Sequence, residues 1–103
     1  MARPVYSVNL LALELSGTET NFAAVGFVTV IREVSVYIPP PGGPVTASIT
    51  VGPIGVFSVT SPGAVAELYH EDRRIVLEPQ QGWTVESTDT VQWYISGYLL
   101  TLP

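Results

Sequence analysis

The runs between the prolines and glycines of this chain are short and rich in Val and Thr, and they alternate apolar with polar residues. β-Branched side chains suit a pleated, half-buried surface better than a helix. Proline interrupts either kind of element because it has no N–H to donate. The apolar residues recur with a period of two rather than 3.6, which points to strands. Seven strand-like runs result: residues 6–15, closed by Ser16-Gly17; 27–38; 45–51; 54–60; 67–79; 83–87; and 90–102, entered through a Thr88-Asp89 turn. "PPPGGP", from Pro39 to Pro44, is expected to be a loop stiffened at its start by polyproline geometry. Seven strands at about ten-residue spacing argue for an all-β fold, an antiparallel β-sandwich of jelly-roll type. Residues 1–103 read as a single domain, with no internal repeat and no linker between domains.

Composition removes several function classes. There is no cysteine, so disulfides, thiolate catalysis and cysteine-held zinc are out. Four arginines against nine Asp and Glu give a net charge of −5, the wrong sign for a phosphate backbone, so nucleic acid is not an expected partner. No apolar run approaches the ~20 residues of a membrane-spanning helix, and the N-terminus lacks the pattern of a signal peptide. The expectation is a chain made in a cytoplasm, with no membrane span.

One run carries the residues of chemistry. "ELYHEDRRIVLEP", Glu67 to Pro79, holds the only histidine and two of the four arginines. In a strand, Leu68, His70, Asp72 and Arg74 share one face, and Glu67, Tyr69, Glu71 and Arg73 share the other. His70 beside Asp72 is the arrangement of a base with its orienting carboxylate. However, no nucleophile motif such as G-x-S-x-G accompanies it, and the run reads as a solvated strand with charges of alternating sign. The chain is therefore expected not to be an enzyme, with no cofactor and no metal site built by one chain. One His per subunit on a symmetry axis stays open as a metal arrangement. "PPPGGP" lacks the lysine and helix of a phosphate loop.

Two features point to contacts with other molecules. Trp83, Trp93, Tyr94 and Tyr98 crowd the C-terminal end, where half-exposed rings would serve a protein interface or stack on sugars. Trp93, alternating with Tyr94 and on the face of Val91 and Ile95, reads as a core residue, and Trp83, at a strand start after a glycine, reads equally as packing or as interface. In the first strand Val8, Leu10 and Ala12 fall on one face, while Leu11, Leu13 and Leu15 fall on the other. A strand in a solvated sandwich needs only one apolar face, so the second calls for a neighbouring subunit. Leu11, Leu13, Leu15, Trp83 and Tyr98 are the candidate interface residues of a homo-oligomer, with a trimer favoured by analogy with viral jelly rolls.

The C-terminal third, "RRIVLEPQQGWTVES" followed by "VQWYISGYLLTLP", resembles small jelly-roll structural proteins of tailed bacteriophages, especially those of actinobacteria. The shared features are an Arg-containing strand, a Pro/Gly turn, a short strand and a last strand with Ser96-Gly97-Tyr98-Leu99. "FAAVGFVTVIREVSVY" resembles their long strand. Trp83 departs from the pattern, standing where an acidic residue commonly follows the turn glycine. The resemblance implies a virion component without enzymatic role: a tail-tip or fibre module first, a capsid decoration protein second, or a protein of the neck, contacting other virion proteins. The alternative is a small carbohydrate-binding module that recognises a host glycan through Trp83, Tyr94 or Tyr98.

Overall fold

Alternation of Val85, Val91, Trp93 and Ile95 with polar neighbours makes the C-terminal run a strand with one apolar face, and in the computed structural model it organises the molecule. The structure describes residues 5–39, 44–62 and 65–101. Strands take up 83 % of them, as six antiparallel members of one sheet that is nearly closed as a barrel. They are β1 (Val5–Phe22), β2 (Phe27–Ile38), β3 (Val45–Val51), β4 (Ile54–Ser61), β5 (Glu67–Leu77) and β6 (Gly82–Thr101). The all-β expectation holds. The expected count of seven strands becomes six, because residues 83–87 and 90–101 are not split by a turn at Thr88-Asp89 and instead lie within β6; residue 102 lies outside the described residues. Likewise β1 runs through Ser16-Gly17 to Phe22. The hydrogen bonds join all six strands in one sheet where a two-sheet sandwich was expected. Of the Pro39–Pro44 loop, residues 40–43 lie outside the described residues.

β6 is the spine. β1 pairs along it from Gly82 to Leu100. On the other side β2 pairs with residues 92–101 and β3 with 83–87, so that β2 and β3 follow one another along the same strand. β5 and β4 then add outside β2 and β3. The core lies on the inner face, around Trp93, Ile31, Val34, Val36, Ile49, Phe57, Val85 and Ile95. Phe57 of β4 meets Trp93 edge-to-face, ring centroids 6.0 Å apart, a favoured aromatic geometry.

Bulges reassign faces that simple alternation misplaces. An extra residue in one strand puts two successive residues on the same side and shifts the alternation by one beyond it. In β2 the register slips between Ile31 and Glu33. Ile31 therefore joins the core before Arg32, while Val34, Val36 and Ile38 join it after. In β1 the slip lies between Asn9 and Leu11, and Leu10 packs on the same core as Leu11, Leu13 and Leu15. Ala12 and Glu14 are exposed. The opposite face of β1 is thus not a second apolar face over these residues, which removes that motive for a neighbouring subunit; the Val8 side chain lies outside those described. A further slip at Leu15/Gly17 uses Gly17 at φ 105°, a left-handed conformation that favours glycine. The Ser87 hydroxyl donates to the Leu15 carbonyl there, at 2.9 Å.

The turn before β6 has Pro79 at its second position and Gln80 at φ 64° at its third, with the Gln81 N–H donating to the Glu78 carbonyl at 3.1 Å. These are the features of a type II turn. The Ala23 backbone clasps it through bonds to Gln80 and Gln81 of 3.1 and 2.9 Å.

The seam where β4 meets β5 is polar. The Tyr69 hydroxyl donates to Glu67 Oε2 at 2.7 Å, and the Ser61 hydroxyl donates to Oε1 at 2.8 Å. Tyr69 also reaches the Thr60 carbonyl at 3.4 Å. Hydrogen bonds to a carboxylate favour its charged form. The Tyr69 hydroxyl first, then that of Ser61, hold Glu67 below the ordinary glutamate value, against a smaller opposing effect of burial. The same bond first, then burial, raises Tyr69. A depressed carboxylate stabilises the fold above its ordinary pKa, and the contribution fades as pH falls through the folded value. A raised phenol contributes below its ordinary pKa and loses that contribution as pH rises through its folded value. The seam is therefore tightest between the two. Amide protection at Thr60, Ser61 and Tyr69, corrected for intrinsic exchange rates, should drop on acidification below the glutamate range. Glu67→Gln should flatten that acid limb; an unchanged profile in Glu67→Gln would refute the assignment.

Candidate functional site on the outer face of the sheet

Antiparallel pairing brings Ser35 of β2 opposite His70 of β5 on one side and Tyr94 of β6 on the other. Their alternation places all three on the outer, solvated face. The next rung holds Glu33, Asp72 and Ser96. His70 Nδ1 lies 2.6 Å from the Ser35 hydroxyl, and Nε2 lies 3.5 Å from Asp72 Oδ1. A carboxylate can only accept. In the neutral ring, a hydrogen on Nε2 therefore meets Asp72, and Nδ1 accepts from Ser35. The sequence pairing of His70 with Asp72 is present; Ser35 is the partner it did not reveal.

A hydroxyl, an imidazole and a carboxylate in line are the parts of a serine nucleophile. Such chemistry also needs donors aimed at a developing oxyanion. Within a paired sheet the backbone N–H groups point sideways to neighbouring strands, not out of the face, so those around Ser35 serve the ladder. What this row offers is a fixed set of donors and acceptors beside the exposed ring of Tyr94, 52 % accessible.

One rung further, the bulges coincide. Opposite Arg32, β5 carries two residues, Arg73 and Arg74, so three of the four arginines gather at one level. Close approach of β2 to β6 is possible there because residue 97 is glycine: a Cβ on it would overlap the Val30 carbonyl oxygen and come within 2.9 Å of the Val30 carbonyl carbon. Arg32, Asp72, Arg73, Arg74 and Tyr98 line an open depression of about 490 Å³. A second of about 200 Å³, lined by Arg32, Glu33, Ser96, Gly97 and Tyr98, adjoins it. The Arg32 guanidinium sits over the Tyr98 ring, 5.9 Å from its centroid. Arg73 turns elsewhere, to Glu71 at 2.6 Å and over Phe57 at 5.9 Å.

The interface candidates separate. Leu11, Leu13 and Leu15 are half-buried against the core. Trp83 is 4 % exposed and belongs to the chain's own core, since β6 begins at Gly82 and alternation sends Trp83 inward with Val85. It is therefore not an exposed contact for a partner or a sugar. Tyr98 is half-buried at the depression. Among the described residues no three His, Asp or Glu side chains converge as a metal group, and no helix is long and apolar enough to cross a membrane. Compared with known proteins, the chain matches no family model and no curated sequence.

Proposed function

We propose that the protein is a non-enzymatic structural protein of a tailed-phage virion, a tail-tip or fibre-associated module first and a capsid decoration protein second, working as a symmetric homo-oligomer. Kinship with jelly-roll virion proteins is part of this proposal and rests on the strand pattern ending in Ser96-Gly97-Tyr98-Leu99. The observation that carries the assembly role is the edge of the sheet at β1. This strand is 18 residues long and, among the described residues, pairs only with β6, and Leu11, Leu13 and Leu15 beside the edge are only partly covered. A long unpaired edge is a template for another strand. A trimer requires β1 of one copy to meet a different surface of the next; the β5 edge, with Leu68 and Val76 exposed, is the complementary one. Particles produced by the genome that encodes the chain provide the test. Quantitative mass spectrometry of purified particles should find it at a fixed copy number; abundance in the lysate with absence from particles would refute the virion role.

The second reading, a carbohydrate-binding module on a host surface, is favoured by one observation: Tyr94 and Tyr98 flank the polar rungs of a single open face. A glycan array tests it directly.

A further inference from the structure

We infer that the depression between Arg32, Arg74 and Tyr98 is a subsite for a carboxylate-bearing sugar unit. The inference builds on the glycan reading of the same sheet face and names the ligand chemistry. Arg73 is committed to Glu71 and Phe57. Among the described residues, Arg32 and Arg74 form no ion pair, and both are exposed. Both line one depression without a carboxylate partner, Arg32 lying over the Tyr98 ring. Guanidinium groups are planar forks that match a carboxylate. A chain that carries four arginines and no other strong cation, and that places two of them unpaired on one wall, has concentrated its capacity for binding an anion there.

The adjoining depression, which shares Arg32 and Tyr98, has the complementary character. It is lined by Glu33 and Ser96, and Glu33 faces Asp72 of the first depression across β2 and β5, where Asp72 lies toward His70. Carboxylates accept hydrogen bonds from hydroxyls, and Ser96 can both donate and accept. The arginine-lined depression thus fits a carboxylate and the adjoining one fits ring hydroxyls. A volume of about 490 Å³ falls within the range of small-molecule sites, roughly 300–1,000 Å³. The net charge of −5 repels dense polyanions such as nucleic acid. That leaves a ligand whose charges are isolated, as in a uronic acid unit of a saccharide.

The probe is D-glucuronate added to the full chain, followed by amide and arginine side-chain resonances, with D-glucose and acetate as separate controls. Glucuronate should saturate with a Kd of about 1 mM, near −4 kcal/mol, moving Arg32, Gly97, Tyr98 and the Arg74 Nε–H. Glucose should leave the arginine signals unmoved, and acetate should bind more weakly than glucuronate. Arg74→Gln, on an exposed side chain without an ion pair, should weaken glucuronate about tenfold, as expected for losing a charged hydrogen bond. Arg32→Gln should do the same, with its spectrum reporting that the fold is kept. Equal affinities for glucose and glucuronate would overturn the proposal, as would equal affinities for acetate and glucuronate or unchanged binding in both variants. Neutral sugars that act at Tyr94 with no response at Arg74 would leave glycan binding standing and remove the acidic subsite.

Discussion

Trp93→Ala should cost about 3–5 kcal/mol of folding stability, the range for emptying a buried tryptophan site. Trp93 has no accessible surface, lies on the inner face of the spine strand, and meets Phe57 across the core. Its register partners are Val36 on β2 and Leu13 on β1, so its removal empties the junction of three strands at once. Against a total of about 5–15 kcal/mol for a domain, the variant keeps only a small reserve. Urea unfolding followed by far-UV circular dichroism measures the loss. Tyr94→Ala, next in sequence but half-exposed on the outer face, should stay within about 0.5 kcal/mol. If the two variants unfolded at similar midpoints, the inner and outer faces of β6 would be wrongly assigned.

Gly97→Ala is expected to be the other severe change. The backbone at residue 97 is not in a left-handed conformation, so the cost arises from space alone. A Cβ would overlap the Val30 carbonyl and lie 3.1 Å from Ile31 Cα, and backbone cannot swing aside as a side-chain tip can. Overpacking of this kind costs about 1–3 kcal/mol or more, and here it would also push β2 away from β6 and deform the arginine rung. Gly55, with nothing within 4 Å of its Cβ position, is the matched control. Equal unfolding midpoints for Gly97→Ala and Gly55→Ala would show that the strands do not approach as described.

The contrast between these glycines illustrates what was legible beforehand. Alternation places Trp93 in the core and Tyr94 outside, because residues 92–95 pair with both β1 and β2 without a register slip. Simple alternation would put Val30 and Val34 on one face of β2 and Ile31 on the other, yet Ile31 and Val34 share the core, because Arg32 is an added residue that only the pairing with β6 reveals. β1 suffered in the same way: Leu10 and Leu11 looked like residues of opposite faces, and the bulge brings both to the core. His70 and Asp72 were visible as near neighbours within one strand. Ser35, 35 residues away from His70, became visible only once β2 and β5 were paired. The arginine depression was hidden for the same reason, since Arg32 reaches Arg73 and Arg74 through strand pairing and not through sequence. Trp83, after a glycine at a strand start, reads from the sequence equally as packing or as interface. With β6 beginning at Gly82, its place in the alternation is inward.

Self-assembly through the β1 edge is tested most directly by the mass of the chain in solution. Light scattering coupled to size exclusion, at micromolar concentration, should give three times the 11.1 kDa chain mass for the wild type. Leu13→Glu, beside the β1 edge, should give a smaller species that keeps a β-type circular dichroism spectrum. A wild-type mass of one chain, with Leu13→Glu changing neither mass nor solubility, would contradict assembly through β1.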